Sequence, residues 1–286
     1  MSSARPRLLR TLKQWTLSMT ASDFEEKLAS HRGSNEYGVD PFGFDPRALR
    51  YAVLAARALY RDWFRTEVHG IDNVPDGRVL LIANHSGQIP LDGLAIGAAM
   101  LLDRSPPRLV RSMVERWSAT LPFVSVLFPR LGQIVGVPEN CQRLLEREEA
   151  ILVFPEGSRG ISKPFSQRYK LTEFGSGFMR LALATRCPIV PVAVVGAEEQ
   201  YVSVANLTGL ARLLGAPAFP VIPQLLVPGG FVPLPVKYRI WFGEPMTFTG
   251  DPDDEDAAIE EKAWTVRATV QSMVNRGLKE RRGIFR

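Results

Sequence analysis

The stretch VLLIANHSGQIPLDG, residues 79–93, decides the reading of this chain. Five apolar residues, Val79 to Ala83, stop at Asn84-His85-Ser86-Gly87, and a carboxylate, Asp92, follows seven positions after the histidine. A short aliphatic run bounded by Asn and Gly is the pattern of a buried strand. Open α/β sheets bind ligands beyond the carboxyl ends of their strands, so His85 stands where chemistry is expected. Imidazole titrates near neutrality without help, which suits it to general-base work. Asp92 is placed to accept the other ring N–H, and also to cap a helix beginning at Gly93. Taken alone, the pair fits a structural histidine at a strand end equally well.

Working outward, RVLLIA, GQIVGV, AILVF and IVPVAVVG are short aliphatic runs of buried-strand length. They alternate with helical patterns over residues 91–102, 139–149 and 174–185. VKYRIWFGEPM reads as a late strand and residues 255–278 as a closing helix. Such alternation predicts an α/β fold, one mainly parallel mixed sheet covered by helices, over residues 66–286. Residues 205–235 hold six prolines and are expected to lack regular structure. The strand ending at Phe154 delivers Glu156, Gly157, Ser158 and Arg159 to the same crevice as His85, and the one ending near Val195 delivers Gly196, Glu198 and Glu199.

Residues 1–65 read as a separate, amphipathic helical region. Residues 1–20 carry Arg5, Arg7, Arg10 and Lys13 and no acid. On a helical wheel Leu8, Leu12, Trp15 and Met19 share an arc of about 60°, with Arg10 and Lys13 roughly opposite. A Trp-bearing stripe backed by cations predicts a helix lying in a lipid interface, and packing on the chain's own domain is the alternative. A second helix is expected over 46–64, with Leu49, Val53, Ala56, Tyr60 and Trp63 on one face, in contact with either core or membrane. HRGSNEYGVDPFGFDP between them reads as a linker.

Composition sets the outer bounds. The 286 residues, 45% apolar and 23% charged, belong to a folded globular chain. Cys141 and Cys187 are expected as free thiols in a reducing compartment. The Asn206-Leu207-Thr208 triplet matches a glycosylation sequon with nothing else to favour secretion. No apolar run is long enough to span a bilayer, and the first twenty residues lack the core of a signal peptide. A peripheral place on the cytoplasmic face of a membrane is therefore expected. The formal charge of +5 and pI of about 9.4 suit anionic partners. The basic residues alternate with apolar stripes and not with an exposed aromatic platform, which argues against nucleic acid.

No nucleophile accompanies the base. Ser158 and Ser176 lack the glycine that a nucleophile elbow requires, His31 and His69 are isolated, and no metal-ligand spacing or phosphate loop is present. A base without a protein nucleophile points to activation of a hydroxyl on the substrate. Arg159, Lys163, Arg168 and Lys170 are available for phosphate contacts, or simply form a solvated surface.

Asn84-His85…Asp92, Phe154-Pro155-Glu156-Gly157-Ser158-Arg159 and Val190-Pro191-Val192 resemble, in order, the blocks of the glycerolipid acyltransferases (the lysophosphatidate-acyltransferase, or PlsC-like, family). FGSGFMRLALATRCPIVPV also resembles that family's segment leading into the last block, and the resemblance covers roughly residues 66–250. It implies a glycerolphosphate-acyltransferase-like fold, and transfer of an acyl chain from acyl-CoA or acyl-carrier protein to a lipid hydroxyl. It implies no metal and no cofactor beyond that thioester donor. On the resemblance His85 takes the acceptor proton and Asp92 orients it. Asn84, Glu156, Gly157, Ser158 and Arg159 bind substrate, with Glu156 and Arg159 positioning the acceptor, and backbone N–H groups around Gly157 are conjectured to face the oxyanion.

Two departures bear on the acceptor. Six residues separate His85 from Asp92 where the family usually has four, which looks like the branch grouped with neutral-lipid acyltransferases. In the middle block the arginine that holds an acceptor phosphate gives way to Pro138, Glu139 and Asn140, with Arg143 a turn later. A neutral acceptor such as monoacylglycerol gains from this. The longer loop also leaves open a non-catalytic lipid-binding protein on the same scaffold, and a thioesterase would use water in place of the alcohol.

Overall fold

The computed structural model describes residues 35–213 and 218–286. Seven strands form one sheet in the spatial order β1 (Glu67–His69), β9 (Arg239–Phe242), β6 (Ile189–Val195), β2 (Val79–Ala83), β5 (Ala150–Val153), β3 (Val110–Val114) and β4 (Ile134–Val135). From β6 to β4 all neighbours are parallel, and β9 runs antiparallel to β6 while pairing in parallel with β1. The expected mainly parallel mixed sheet is therefore present.

Alternate side chains of the central strand supply two cores, as a period of two requires. Val79, Leu81 and Ala83 pack with Ala95, Ile96 and Met100 of helix α2 (Leu91–Leu102) and with Tyr60 and Phe64. Leu80 and Ile82 pack on the other face against α4 (Pro138–Glu146), α6 (Gly177–Thr185) and α8 (Asp256–Glu280), through Leu144, Met179 and Val266. Both faces of the sheet are covered, which is why its strands read as unbroken apolar runs.

Helix α1 (Pro46–Arg57) starts where Asp45 accepts the Arg47 N–H at 3.0 Å, and a π-helical turn, Ala58–Trp63, continues it over the stretch predicted as one helix. Leu49 and Val53 are buried with Leu101 and Leu109, whereas Tyr51 and Leu54 on the same helix face solvent. The segment read as a linker is partly packed. Asp40 accepts the N–H groups of Phe42 and Phe44 at 2.8 Å, and its second oxygen pairs with the fully buried guanidinium of Arg111. Glu149 holds the same guanidinium through Nε at 2.6 Å. The amphipathic pattern of residues 1–20 lies outside the described residues.

Several expectations need adjusting. Strands β1 and β3 were not foreseen, and β3 (RLVRSMV in sequence) was hidden by Arg111, a cation buried because two carboxylates neutralise it. The 205–235 segment is mostly irregular but contains the small ribbon β7 (Ala205–Asn206) and β8 (Pro220–Val221), and a short helix, α7 (Thr208–Leu213). Helix α4 ends at Glu146, three residues earlier than its pattern reads, because Glu148 turns into the left-handed region at φ +61°. Both cysteines are unpaired and buried, and burial pushes their thiols up to about 11 for Cys141 and about 12 for Cys187. None of the described helices is long and apolar enough to cross a membrane.

Candidate active site

The carboxyl ends of β2, β5 and β3 deliver the polar residues of one crevice. Beyond Ala83 the backbone ladder between β2 and β6 stops, and the Asn84 side chain continues it: Oδ1 accepts the Val194 N–H at 2.8 Å and Nδ2 donates to the Val194 carbonyl at 3.0 Å. Asn84 was expected to touch substrate; its buried amide instead locks the last residue before His85 to the neighbouring strand.

His85 and Asp92 meet. The Nδ1–Oδ2 distance is 2.8 Å, the Asp92 carboxylate is fully buried, and the imidazole keeps 12% of its surface open. The same Oδ2 accepts the Ser86 N–H and Oδ1 accepts the Gly93 N–H, both at 2.8 Å. A carboxylate that accepts both backbone N–H groups can only accept from the ring as well, so a neutral imidazole carries its proton on Nδ1, which leaves Nε2 as the basic nitrogen. The six-residue loop therefore preserves the dyad. Asp92 is not the helix cap: α2 begins one residue earlier, so the carboxylate sits inside the first turn and the cap position falls to Pro90.

The ring's other neighbours fix its plane. Phe154 stacks beneath it with centroids 4.0 Å apart. Gly160 passes so close that a Cβ there would lie 2.9 Å from both His85 Cβ and the His85 carbonyl oxygen. Neither contact was foreseen, although Phe154 opens the motif that was singled out and Gly160 follows it directly.

Glu156 is buried and spent on the protein. One oxygen accepts the His85 N–H at 3.0 Å; the other accepts the Thr172 N–H at 2.8 Å, the Thr172 hydroxyl at 3.1 Å and Lys163 Nζ at 3.4 Å. It therefore holds His85 and does not face an acceptor. Lys163 is not a solvated surface cation either: it lies buried between Glu156 and Glu198, 3.3 Å from the latter. Burial drives the Glu198 carboxyl up to about 7, against the pull of Lys163.

The conjectured oxyanion donors are also engaged. The Gly157 N–H closes a turn on the Phe154 carbonyl at 2.9 Å, and the Ser158 N–H donates to the carboxylate of Glu115 at 2.7 Å. Glu115, which follows β3 and was not singled out, is held from its other side by the Trp117 indole at 3.0 Å. Arg159 is exposed and donates to the Glu173 carbonyl at 3.1 Å. Glu199 is paired by Arg281 at 2.7 Å and by the Tyr169 hydroxyl, which takes it out of the crevice chemistry. Pro138 heads α4, and Arg143 lies exposed on that helix. Among the described residues no cluster of potential metal ligands exists.

Beside the dyad, an apolar cavity of about 120 Å³ runs along α2, lined by Leu49, Val53, Gly93, Gly97, Leu101 and Leu109 among others. It starts at Gly93, where an added Cβ would stand 3.4 Å from the Phe154 ring, and follows the helix to Leu102, nine residue steps or roughly 13 Å.

Comparison with known proteins agrees with this architecture. Residues 65–195 match the acyltransferase family model. An uncharacterized protein of Mycobacterium leprae is 41% identical over 264 residues, covering 89% of this chain and 71% of that one. A chicken (Gallus gallus) protein described as a DGAT1/2-independent enzyme synthesizing storage lipids is 26% identical over 221 residues, 77% of this chain and 62% of its own. Among solved structures, the 1-acyl-sn-glycerophosphate acyltransferase PlsC of Thermotoga maritima shares the fold with a TM-score of 0.51 at 20% identity, covering 82% of this chain and 83% of that one.

Proposed function

Since this chain belongs to the acyltransferase family and is an acyltransferase, we propose that it esterifies an uncharged glycerolipid alcohol with a fatty acyl chain taken from a thioester. Acyl-CoA or acyl-carrier protein serves as the donor substrate. The observation that carries this reading is the 2.8 Å contact between His85 Nδ1 and the buried Asp92, which leaves Nε2 as a base at the crevice. The acceptor oxygen attacks the thioester carbonyl carbon while its proton passes to Nε2. The C–S bond then breaks, and the departing thiolate takes that proton back from the imidazolium. Asp92 stabilises the transient cation. A positioned base of this kind contributes roughly 10²–10⁴-fold.

Three features support a neutral acceptor. Proline stands where the resemblance calls for a phosphate-holding arginine, and it heads α4. A carboxylate, Glu115, occupies the Ser158 N–H at the edge of the crevice, where it repels a phosphate. The chicken relative is described by its storage lipids. The cavity along α2 suits the acyl chain, being mostly apolar and reaching Gly93, the residue after Asp92.

The same reading places the enzyme on a lipid surface, at the cytoplasmic face where its two thiols stay reduced. Phe123 is 86% exposed and Leu226 87%, with Val126, Leu127 and Phe231 also turned to solvent. We take Phe123, Val126 and Leu127, close together in one segment, as the part that meets lipid.

The test is to incubate the purified protein with radiolabelled acyl-CoA and a panel of monoacylglycerol, diacylglycerol, lysophosphatidate and water alone. Esterification of the neutral glycerides is expected, and His85→Ala lowers it by at least about 10²-fold with folding intact. Labelled lysophosphatidate as the main product overturns the neutral acceptor. Free fatty acid in every arm makes the protein a thioesterase.

A further inference from the structure

We infer that Gln200 is a positioning residue, whose buried carboxamide clamps the loop carrying His85 and Asp92 in register. The kinetic consequence rests on the acyl-transfer reading above; the clamp itself rests on geometry.

Gln200 follows the 3-10 turn Ala197–Glu199 beyond β6 and is sealed from solvent. Its Nε2 donates to the carbonyl oxygens of Gly87 at 2.7 Å and Ile89 at 2.8 Å. Its Oε1 accepts the hydroxyl of Tyr238 at 2.5 Å. Both amide donors are thus used on the loop, and the acceptor is used on the body of the protein. Tyr238 cannot follow a moving loop. It is fully buried, stacks on Phe64 with centroids 4.2 Å apart, and is kept protonated by burial.

The two carbonyls that Gln200 takes are the corners of the loop. Gly87 oxygen accepts the Ile89 N–H and Ile89 oxygen accepts the Leu91 N–H, so two tight turns in sequence lead from His85 into α2. Gly87 is required on both counts: φ is +93°, and a Cβ there would overlap the Gln200 amide and the Ala197 carbonyl. Among the described residues, one other side-chain tie from residues 87–90 is seen, from Gln88 Nε2 to the Lys163 carbonyl at 3.0 Å. A six-residue connection has more ways to misplace Asp92 than a four-residue one, and the carboxamide removes them. Without it the Gly87 and Ile89 carbonyls each keep only the N–H of their own turn, and nothing ties those turns to the body of the protein through Gln200.

The test compares Gln200→Leu, which removes all three bonds at similar volume, with Tyr238→Phe, which removes one. Steady-state acyl transfer to a lipid alcohol is measured beside the low-field proton resonance of His85 Nδ1 in the full chain. A displacement of about 1 Å costs on the order of 10²-fold, so Gln200→Leu is expected to lower kcat by about that factor with KM within roughly threefold. The low-field resonance is lost or broadened. Tyr238→Phe gives a smaller loss in the same direction, and the double variant is no worse than Gln200→Leu, because both act through one amide.

Wild-type kcat with the resonance retained in Gln200→Leu overturns the clamp, as do additive losses in the double variant. Should Gln200→Leu not fold, an unchanged resonance and kcat in Tyr238→Phe overturn it, and their partial loss supports it. A wild-type protein that transfers no acyl chain defeats the reading of function, while the resonance in the variants still decides the clamp.

Discussion

The His85 imidazole lies face to face on the Phe154 ring, with centroids 4.0 Å apart and planes 20° from parallel. Asp92 holds one edge of the imidazole and Phe154 one face, so the ring has neither free rotation about its bond nor room to tilt. Phe154 also touches the start of α2, where a Cβ built on Gly93 would meet its ring at 3.4 Å. One aromatic side chain thus packs against the base and close to the first turn of the helix that carries Asp92.

Removing that ring has a defined effect. Phe154→Ala is expected to lower kcat by about two- to tenfold, in line with the roughly 0.5–1.5 kcal/mol of a stacked pair, and Phe154→Leu by less. Steady-state kinetics on both variants, with thermal unfolding as the control, checks this. Equal kcat in all three proteins would show that the stacking does not orient the base.

Gly160 answers a question of space. A methyl group there would press on His85 Cβ and its carbonyl at 2.9 Å and on Glu156 Cβ at 3.0 Å, all parts of the dyad's support. Gly160→Ala should therefore reduce kcat by around 10²-fold while the circular dichroism spectrum stays that of the wild type. Full activity in a folded Gly160→Ala protein contradicts this packing.

The cavity along α2 offers a handle on chain length. A Cβ added at Gly97 meets nothing within 4 Å, and this glycine lines the cavity midway along the helix. Gly97→Phe is expected to fold, and to lower kcat/KM for long acyl thioesters far more than for short ones. A uniform loss across chain lengths would place the acyl chain elsewhere.

Glu198 makes stability depend on pH. Its folded carboxyl titrates at about 7, above an ordinary value of 4.5, because burial disfavours the charge. The folded state thus holds a proton that the unfolded state has released between about pH 4.5 and 7, and stability falls as pH rises through that window. The full difference is of the order of 3 kcal/mol. Glu198→Gln should flatten the dependence, so that its melting temperature gains on the wild type between pH 5 and pH 8. Parallel pH curves for the two proteins would mean that Glu198 is charged throughout.

Much of this was legible in the residues because periodicity and strand ends obey simple rules. The run from Val79 to Ala83 identified the central strand, and the rule that ligands lie beyond strand ends brought His85 and residues 156–159 together. The division of labour within the site was not legible. Glu156, Asn84 and Lys163 are polar residues in a motif-rich crevice, and only coordinates reveal that Glu156 holds the His85 backbone, Asn84 extends a ladder and Lys163 is buried between carboxylates. Gln200 and Tyr238 escaped notice for a related reason. They lie more than a hundred residues downstream of the loop they serve, and a buried amide leaves no local pattern.

The ion cluster around Arg111 bears on how the chain can be cut. Asp40 stands among the first described residues, Glu149 just before the strand next to β2, and the guanidinium between them is shut away from water. Trimming the protein at the apparent start of its α/β part, near residue 66, would delete Asp40 and Phe44 and leave a buried cation with one of its two counter-charges missing. Losing a partner of that kind costs about 3–5 kcal/mol, a large fraction of what holds most domains together. The stretch from Asp40 to Phe44 is therefore a strut of the α/β body, and the smallest fragment that folds should begin upstream of Asp40.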